Sequence, residues 1–275
     1  MKKKNRFLAN KTFVVFSILA VCIILTAVFA PVVTRGVDPL KGSLVDALLP
    51  PCKEHIFGTD KMGRDIFSRV IYGARASLSA TFGVVALIFL VGTVTGVLAG
   101  YFGGVIDAVI MRIADMMLAF PGLVLALAVA GIMGASIKNA IIAIVVVSWT
   151  KYARLARSMV LRVKKNLYIE AAVVNGTKTW KILLVHVLPN MVTQMVVTAA
   201  ADIGTMMLEL ASLSFLGFGA TAPTPEWGLM LNEGRTYMAK APWLMIYPGI
   251  AIVICVVIFN MLGDSIRDVL DPRQE

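Results

Sequence analysis

The chain has 275 residues, 59% of them hydrophobic and only 15% charged, with a formal net charge of +10 at pH 7. Soluble domains are roughly half apolar and a quarter charged, so a water-soluble globular domain is excluded. With no soluble basic domain present, nucleic-acid binding is excluded too, and the positive charge reads as membrane topology and contact with anionic membrane lipid.

A helix needs about 20 apolar residues to cross the hydrocarbon core, and the chain predicts an all-α integral membrane protein with six transmembrane helices. A basic tail over residues 1–11, with Lys2, Lys3, Lys4, Arg6 and Lys11, precedes the first span at 12–33. Ala27 and Ala30 before Pro31 also fit a signal peptide, but the apolar stretch outruns a signal core, so a retained anchor is the better reading. An external segment follows over 34–75. Within it Gly58-Thr59-Asp60 and Gly63-Arg64-Asp65 read as a capped turn into an amphipathic helix that braces the mouth of the protein. The second span, 76–100, spaces Gly92, Gly96 and Gly100 four apart. They share one helix face, on which another backbone can approach closely.

The third span, 107–133, contains Pro121, which predicts a kink. Arg112 and Asp115 at its entry predict a mutual ion pair. The fourth span, 137–158, has a short uncharged part and continues through Lys151, Arg154 and Arg157 into a basic loop over 159–190. The fifth span, 191–215, carries Asp202 and Glu209, seven apart on one face. Carboxylates inside a membrane usually face a cavity, so both are candidates to line a pathway. For Glu209, close to the external end, a structural hydrogen-bonding role is the favoured reading; for Asp202 both readings stay open. An external loop over 216–240, a sixth span at 241–263 with a second kink expected at Pro248, and a tail over 264–275 with Arg267 and Arg273 complete the chain.

Cytoplasmic loops keep Lys and Arg. The basic N-terminal tail and the stretch from Lys151 to Lys181 therefore lie inside, and an even number of spans returns the C-terminus to the cytosol. Positive residues in 34–75 run against this trend, diluted there by acids. Cys22 and Cys255 are apolar filler inside spans and Cys52 stands alone outside, so no disulfide framework is expected. His55 and His186 are the only histidines and fall in different compartments, so no metal site is expected. No catalytic residues are expected either: there is no His-Glu-x-x-His and no phosphate-binding Gly-x-x-x-x-Gly-Lys-Ser/Thr loop. The triplets Asn10-Lys11-Thr12 and Asn175-Gly176-Thr177 match a glycosylation acceptor by chance, on the cytosolic side.

In the basic loop, Ile169, Ala172, Val173, Gly176 and Trp180 have helix-compatible spacing, with Gly176 a break between two short helices. Ala171 and Ala172 are small enough for close approach of a partner, Glu170 offers it a carboxylate, and Pro189 suits a first helical turn. Residue chemistry alone leaves two readings: a loop gripped by a cytosolic partner, or an amphipathic helix on anionic lipid.

The pattern Glu170-Ala171-Ala172, Gly176, Leu188-Pro189 resembles the EAA loop of ABC-importer permeases. His186, in Val-His-Val-Leu-Pro-Asn where the general pattern has Ile, resembles the dipeptide, oligopeptide and nickel branch. The external run from His55 to Asp65, Gly73-Ala74-Arg75-Ala76-Ser77-Leu78, Leu213-Ser214-Phe215-Leu216-Gly217-Phe218-Gly219, Pro225-Glu226-Trp227-Gly228 and Asn260-Met261-Leu262-Gly263-Asp264 resemble the same branch. Nearly the whole chain is covered, and the likeness is to the second-type permease.

The resemblance implies a type I ABC-importer permease fold in a bacterial or archaeal cell membrane. Its partners would be a second homologous permease in a heterodimer, two ABC ATPase subunits and an extracytoplasmic substrate-binding protein. No cofactor would be bound by this chain; ATP and Mg would sit on the ATPase subunits. Glu170, Ala171, Ala172, Gly176, His186, Leu188 and Pro189 would couple ATPase motion to the spans, and Gly58, Asp60, Gly63, Arg64 and Asp65 would brace the mouth or the partner permease. Cargo would be di- or oligopeptides, with nickel or a metal chelate as the alternative. A proton-coupled carrier relaying through Asp115, Asp202 and Glu209 would usually show paired repeats and broken helices in both halves, and none is visible.

Overall fold

A computed structural model describes Phe7 and residues 10–270. The tail residues Lys2, Lys3, Lys4 and Arg6, and Arg273 at the other end, lie outside the described residues.

Helix α1 (Lys11–Val28) opens on Asn10, whose side chain accepts the Phe13 N–H at 3.0 Å. The first glycosylation-like triplet is thus a helix cap, a contact that contributes about 1 kcal/mol. After a short turn of helix at Ala30–Val33 and a largely irregular segment comes α2 (Ile66–Phe102). Asp65 caps α2 by accepting the Ser68 N–H at 2.7 Å. Then follow α3 (Gly104–Leu118), α4 (Gly122–Met133), α5 (Ile137–Lys164) and the short α6 (Leu167–Val174). A turn at Thr179–Lys181 and a π-helical segment at Ile182–Val187 run without a gap into α7 (Leu188–Phe215). Helices α8 (Trp227–Gly234) and α9 (Trp243–Leu270) end the described chain, α9 continuing through Pro248. Among the described residues the only β pairing is two isolated bridges, Gly42 with Arg64 and Thr59 with Asp65.

The expectation of six transmembrane helices is corrected. Four helical stretches are long and apolar enough to cross a membrane: Lys11–Val28, Ile66–Phe102, Thr179–Phe215 and Trp243–Leu270. A fifth is reached only if α3 and α4, which meet at 96°, count as one bent span. Two physical facts account for the difference. The stretch around Pro121 does not kink one helix but ends α3 and starts α4, with Pro121 in extended conformation as the N-cap. Helix α5 is long, but Lys151, Arg154, Arg157, Arg162 and Lys164 occupy its second half. Each of the first three is drawn toward a carboxylate, not toward lipid.

Helices α2 and α5 form the tightest seam. Gly92, Gly96 and Gly100 face Tyr152, Ala153, Ala156 and Val160; a Cβ on Gly96 would lie 2.6 Å from the Ala156 Cβ, and one on Gly100 2.9 Å from the Val160 Cβ. Glycine here lets the backbones approach to a distance that no side chain permits. A second seam joins α7 to α9, where a Cβ on Gly263 would stand 2.6 Å from the Ala201 Cα. Large apolar side chains stay exposed along α1, α2 and α9, as lipid-facing helices require.

Candidate pathway, docking loop and external brace

A cavity of about 220 Å³ opens at the α3–α4 bend, walled by Val85 and Ile88 of α2, Leu118, Gly122, residues of α5, and Asp202, Thr205, Met206 and Glu209 of α7. Both sequence-predicted carboxylates therefore line one cavity. Their surroundings differ. Asp202 is buried and accepts from Lys151 Nζ at 2.6 and 2.8 Å and from the Tyr152 hydroxyl at 2.9 Å. Its charge is neutralised and its lone pairs are used, which is what a carboxylate inside a span needs. Glu209 is half-buried and has no hydrogen-bond or ion-pair partner among the described residues.

Beyond the cavity, two further cations of α5 reach α3. Arg157 holds Asp107 through two bonds of 2.5 and 2.6 Å, and Arg154 pairs with Asp115. The expected Arg112–Asp115 pair is thereby replaced: Asp115 is claimed across the helix interface instead of along its own helix. Lys151, Tyr152 and Asp107 escaped the sequence reading as site residues. The signal was present, since opposite charges in neighbouring apolar spans have no cheaper arrangement than to meet.

The basic loop builds a small platform. In α6, Ile169 is buried and anchors the helix, while Glu170, Ala171, Val173 and Val174 are exposed, Val174 at 86%. The helix ends on a Schellman motif: the Gly176 N–H donates to the Val173 carbonyl at 2.9 Å and the Thr177 N–H to the Ala172 carbonyl at 3.0 Å. That motif requires a left-handed residue after the cap, and Gly176 has φ +71°. His186 lies in the π-helical segment with its ring edge-on to Tyr168 at 6.0 Å. Asn190 ties the two together, donating to the His186 carbonyl at 2.6 Å and to the Tyr168 hydroxyl at 3.3 Å. Leu188 and Pro189 form the first turn of α7.

The segment that precedes α2 is held by charge. Asp60 Oδ1 accepts the N–H groups of Met62 and Arg64, and Oδ2 accepts from Arg64 Nε at 2.6 Å. Arg69, 1% exposed, reaches Glu233 Oε2 at 3.1 Å and Asp60 at 3.6 Å. Gly58 and Gly63 have φ of +76° and +70° and pack under Trp243 and Ser43. His55 Nδ1 stands 3.0 Å from Asp65. Glu226 caps α8, accepting from the Gly228 and Leu229 N–H groups at 2.9 and 2.8 Å and from Ser77 at 3.3 Å. Burial pushes its carboxyl above the ordinary range, against the pull of those donors. Trp227 locks the same corner, donating from Nε1 to the Val70 carbonyl and lying over Gly73. Glu226 had no sequence signal beyond the Pro225-Glu226-Trp227-Gly228 motif and Glu233 had none, because their partners in α2, Ser77 and Arg69, lie 149 and 164 residues away.

Among the described residues no group of three or more His, Cys, Asp or Glu could hold a metal ion, and Cys22, Cys52 and Cys255 are free. Comparison with known proteins now bears on this arrangement. Residues 92–275 match the family model described as binding-protein-dependent transport system inner membrane component. A dipeptide transport system permease protein, DppC, of Alkalihalophilus pseudofirmus is 44% identical over 97% of this chain and 87% of its own length. The probable D,D-dipeptide permease DdpC of Escherichia coli K12 is 42% identical over 94% of this chain and 86% of its own. The glutathione permease GsiD of Pectobacterium atrosepticum is 47% identical over 81% and 74%. The fold is similar to that of a chain of the MetNI methionine ABC transporter, with a TM-score of 0.59 at 20% identity, covering 75% of this chain and 98% of that one. The chain belongs to the binding-protein-dependent transport system inner membrane components, the permease subunits of ABC importers.

Proposed function

We propose that this permease forms, with a second homologous permease, the membrane pathway of an ATP-driven importer of di- or oligopeptides, and that α6 is the lever on which two ATPase subunits act. The observation that carries this reading is the exposed α6, with Glu170, Ala171 and the Gly176 turn facing outward, joined to the cavity by one helical run from Thr179 to Phe215. A partner moving α6 displaces the start of α7, and with it the cavity wall that holds Asp202 and Glu209. Peptide cargo is supported by relatives named for dipeptides, D,D-dipeptides and glutathione. An extracytoplasmic binding protein would deliver it, and ATP with Mg would be bound by the ATPase subunits.

The proposed orientation puts both termini and α6 in the cytosol. Arg75 donates to the Ala27 and Val28 carbonyls at 2.6 Å each, so α1 ends beside the start of α2 at the external segment. Trp243 Nε1 donates to the Thr59 carbonyl, so α9 also starts there. The Lys11 end of α1 and the Leu270 end of α9 then lie with α6 and the flanking Lys164, Lys165, Lys178 and Lys181, as the positive-inside bias asks. In this reading Glu170, Ala171, Ala172 and Gly176 meet the ATPase, while His186, Leu188 and Pro189 pass its movement to α7. Gly58, Asp60, Gly63, Arg64 and Asp65 keep the external cap rigid.

The test is a mild-detergent pull-down of the tagged chain from its native cell. Co-purification of a second permease, two phosphate-loop ATPases and a binding protein carrying peptide is the expected result. Recovery of the chain alone, with uptake abolished by an uncoupler and not by ATP depletion, would instead establish a proton-coupled carrier.

A further inference from the structure

The charges lining the α5–α7 cavity do not cancel. Asp202 and Lys151 neutralise each other at 2.6 and 2.8 Å, and Tyr152 takes the remaining acceptor position on Asp202 Oδ2. Glu209 stands two turns further along the same face of α7, beside Val85, Ile88 and Met206, with no partner among the described residues. The cavity therefore carries one uncompensated carboxylate. A carboxylate that has lost part of its water to apolar walls is costly unless a cation comes to it. The space, about 220 Å³, far exceeds the roughly 10–15 Å³ that one water needs, so an organic cation fits where a structural water would not fill it.

We propose that this cavity is a cation-receiving station on the transport pathway, in which Glu209 meets the free ammonium group of the cargo and the Lys151–Asp202–Tyr152 cluster forms its neutral wall. That the ammonium belongs to a peptide rests on the function proposed above; that the cavity attracts cations does not. The division of labour is specific. Asp202 holds α5 to α7 and is closed to cargo, whereas Glu209 is the carboxylate available to it. A zwitterionic peptide would enter with its amino end toward Glu209.

Thr205 is exposed, lines the same cavity and lies one turn from Glu209, about 6 Å between Cβ atoms. The experiment places Thr205→Cys in the full importer complex, in a background lacking Cys22, Cys52 and Cys255. Labelling is then timed with a trimethylammonium-ethyl and a sulfonato-ethyl methanethiosulfonate, each rate normalised to that with a free thiol. One unit charge this close in a partly wet site biases the normalised cation-to-anion ratio by about tenfold or more. The expected result is such a ratio with Glu209 present, a fall to near one in Glu209→Gln, and retention in Glu209→Asp. Uptake of alanyl-alanine in the Thr205 background should fall about tenfold in Glu209→Gln and largely survive in Glu209→Asp.

A ratio near one with Glu209 present, or a high ratio that Glu209→Gln leaves unchanged, overturns the proposal. Loss of the second permease from the purified Glu209→Gln complex also overturns it, and assigns Glu209 to the subunit contact. A high, Glu209-dependent ratio in an importer that takes up no peptide supports the cation site and overturns the peptide cargo alone.

Discussion

Substitution of Gly176 separates the fold of the basic loop from what docks on it. Gly176 sits at φ +71° in the turn that ends α6, and a Cβ built there meets no atom within 4 Å. Any effect of a side chain on the isolated subunit is therefore backbone strain, about 1–2 kcal/mol for an ordinary residue held in the left-handed region. Asparagine tolerates that region and should cost less than alanine. Strain alone ranks uptake as Asn above Ala and Trp, with losses of about five- to thirtyfold for 1–2 kcal/mol. A partner surface seated against Gly176 ranks it by bulk instead: Ala best, then Asn, then Trp with none. The second order is expected. It is read as initial uptake at matched membrane levels of the three variants, together with the ATPase subunits retained on purification. Uptake that follows the strain order, or a normal Gly176→Trp, would refute α6 as the coupling element.

Three further outcomes are expected. Gly96→Leu forces a side chain into the α2–α5 seam, an overpacking cost of about 1–3 kcal/mol or more; folded protein by size-exclusion should drop sharply, while Gly83→Leu on an open face of the same helix leaves it unchanged. Lys151→Met and Asp202→Asn should each lower thermal stability of the purified complex, yet the double variant should lose less than their sum, with a coupling of about 0.5–3 kcal/mol; strict additivity would mean that the 2.6 Å contact carries no stability. Glu226 has its folded-state carboxyl raised by burial, so its contribution is fully present below the ordinary carboxylate range and is lost as pH rises through the raised value. Melting of the wild type relative to Glu226→Gln should decline as pH rises above the ordinary carboxylate range, from about pH 4 upward, and a parallel pair of curves would contradict this.

Much of the architecture was legible in the chain because apolar length and glycine spacing are local properties. The four long apolar stretches, the Gly92-Gly96-Gly100 face and the turn at Gly176 each depend on residues within a few turns of one another. What was not legible is pairwise and distant. Asp115 reaches Arg154 instead of Arg112, Asp202 reaches Lys151, and Arg69 reaches Glu233, each choice made by helix packing and not by sequence neighbours. The count of six spans failed on charge and geometry. The span expected at 137–158 runs into the Lys and Arg of the second half of α5, and Pro121 separates two helices, α3 and α4, that meet at 96°. For Glu209 the sequence favoured a hydrogen-bonded structural acid; the structure shows no partner for it among the described residues, and the cation site proposed above rests on that.

The helical run from Thr179 to Phe215 has mechanical consequences. At about 1.5 Å per residue, its 37 residues make a rod of about 55 Å. A helix of this length curves only gently, so a push at the Thr179 end is carried along it toward Glu209. The rod has one soft joint, the π-helical turn at Ile182–Val187, where the wider winding holds one surplus residue. Releasing that residue into ordinary winding would rotate everything beyond it by about 100°, and the hydrogen bond from Asn190 to the His186 carbonyl spans the end of that turn. In the coupling proposed above, a stroke delivered to α6 as translation would reach α7 partly as torque.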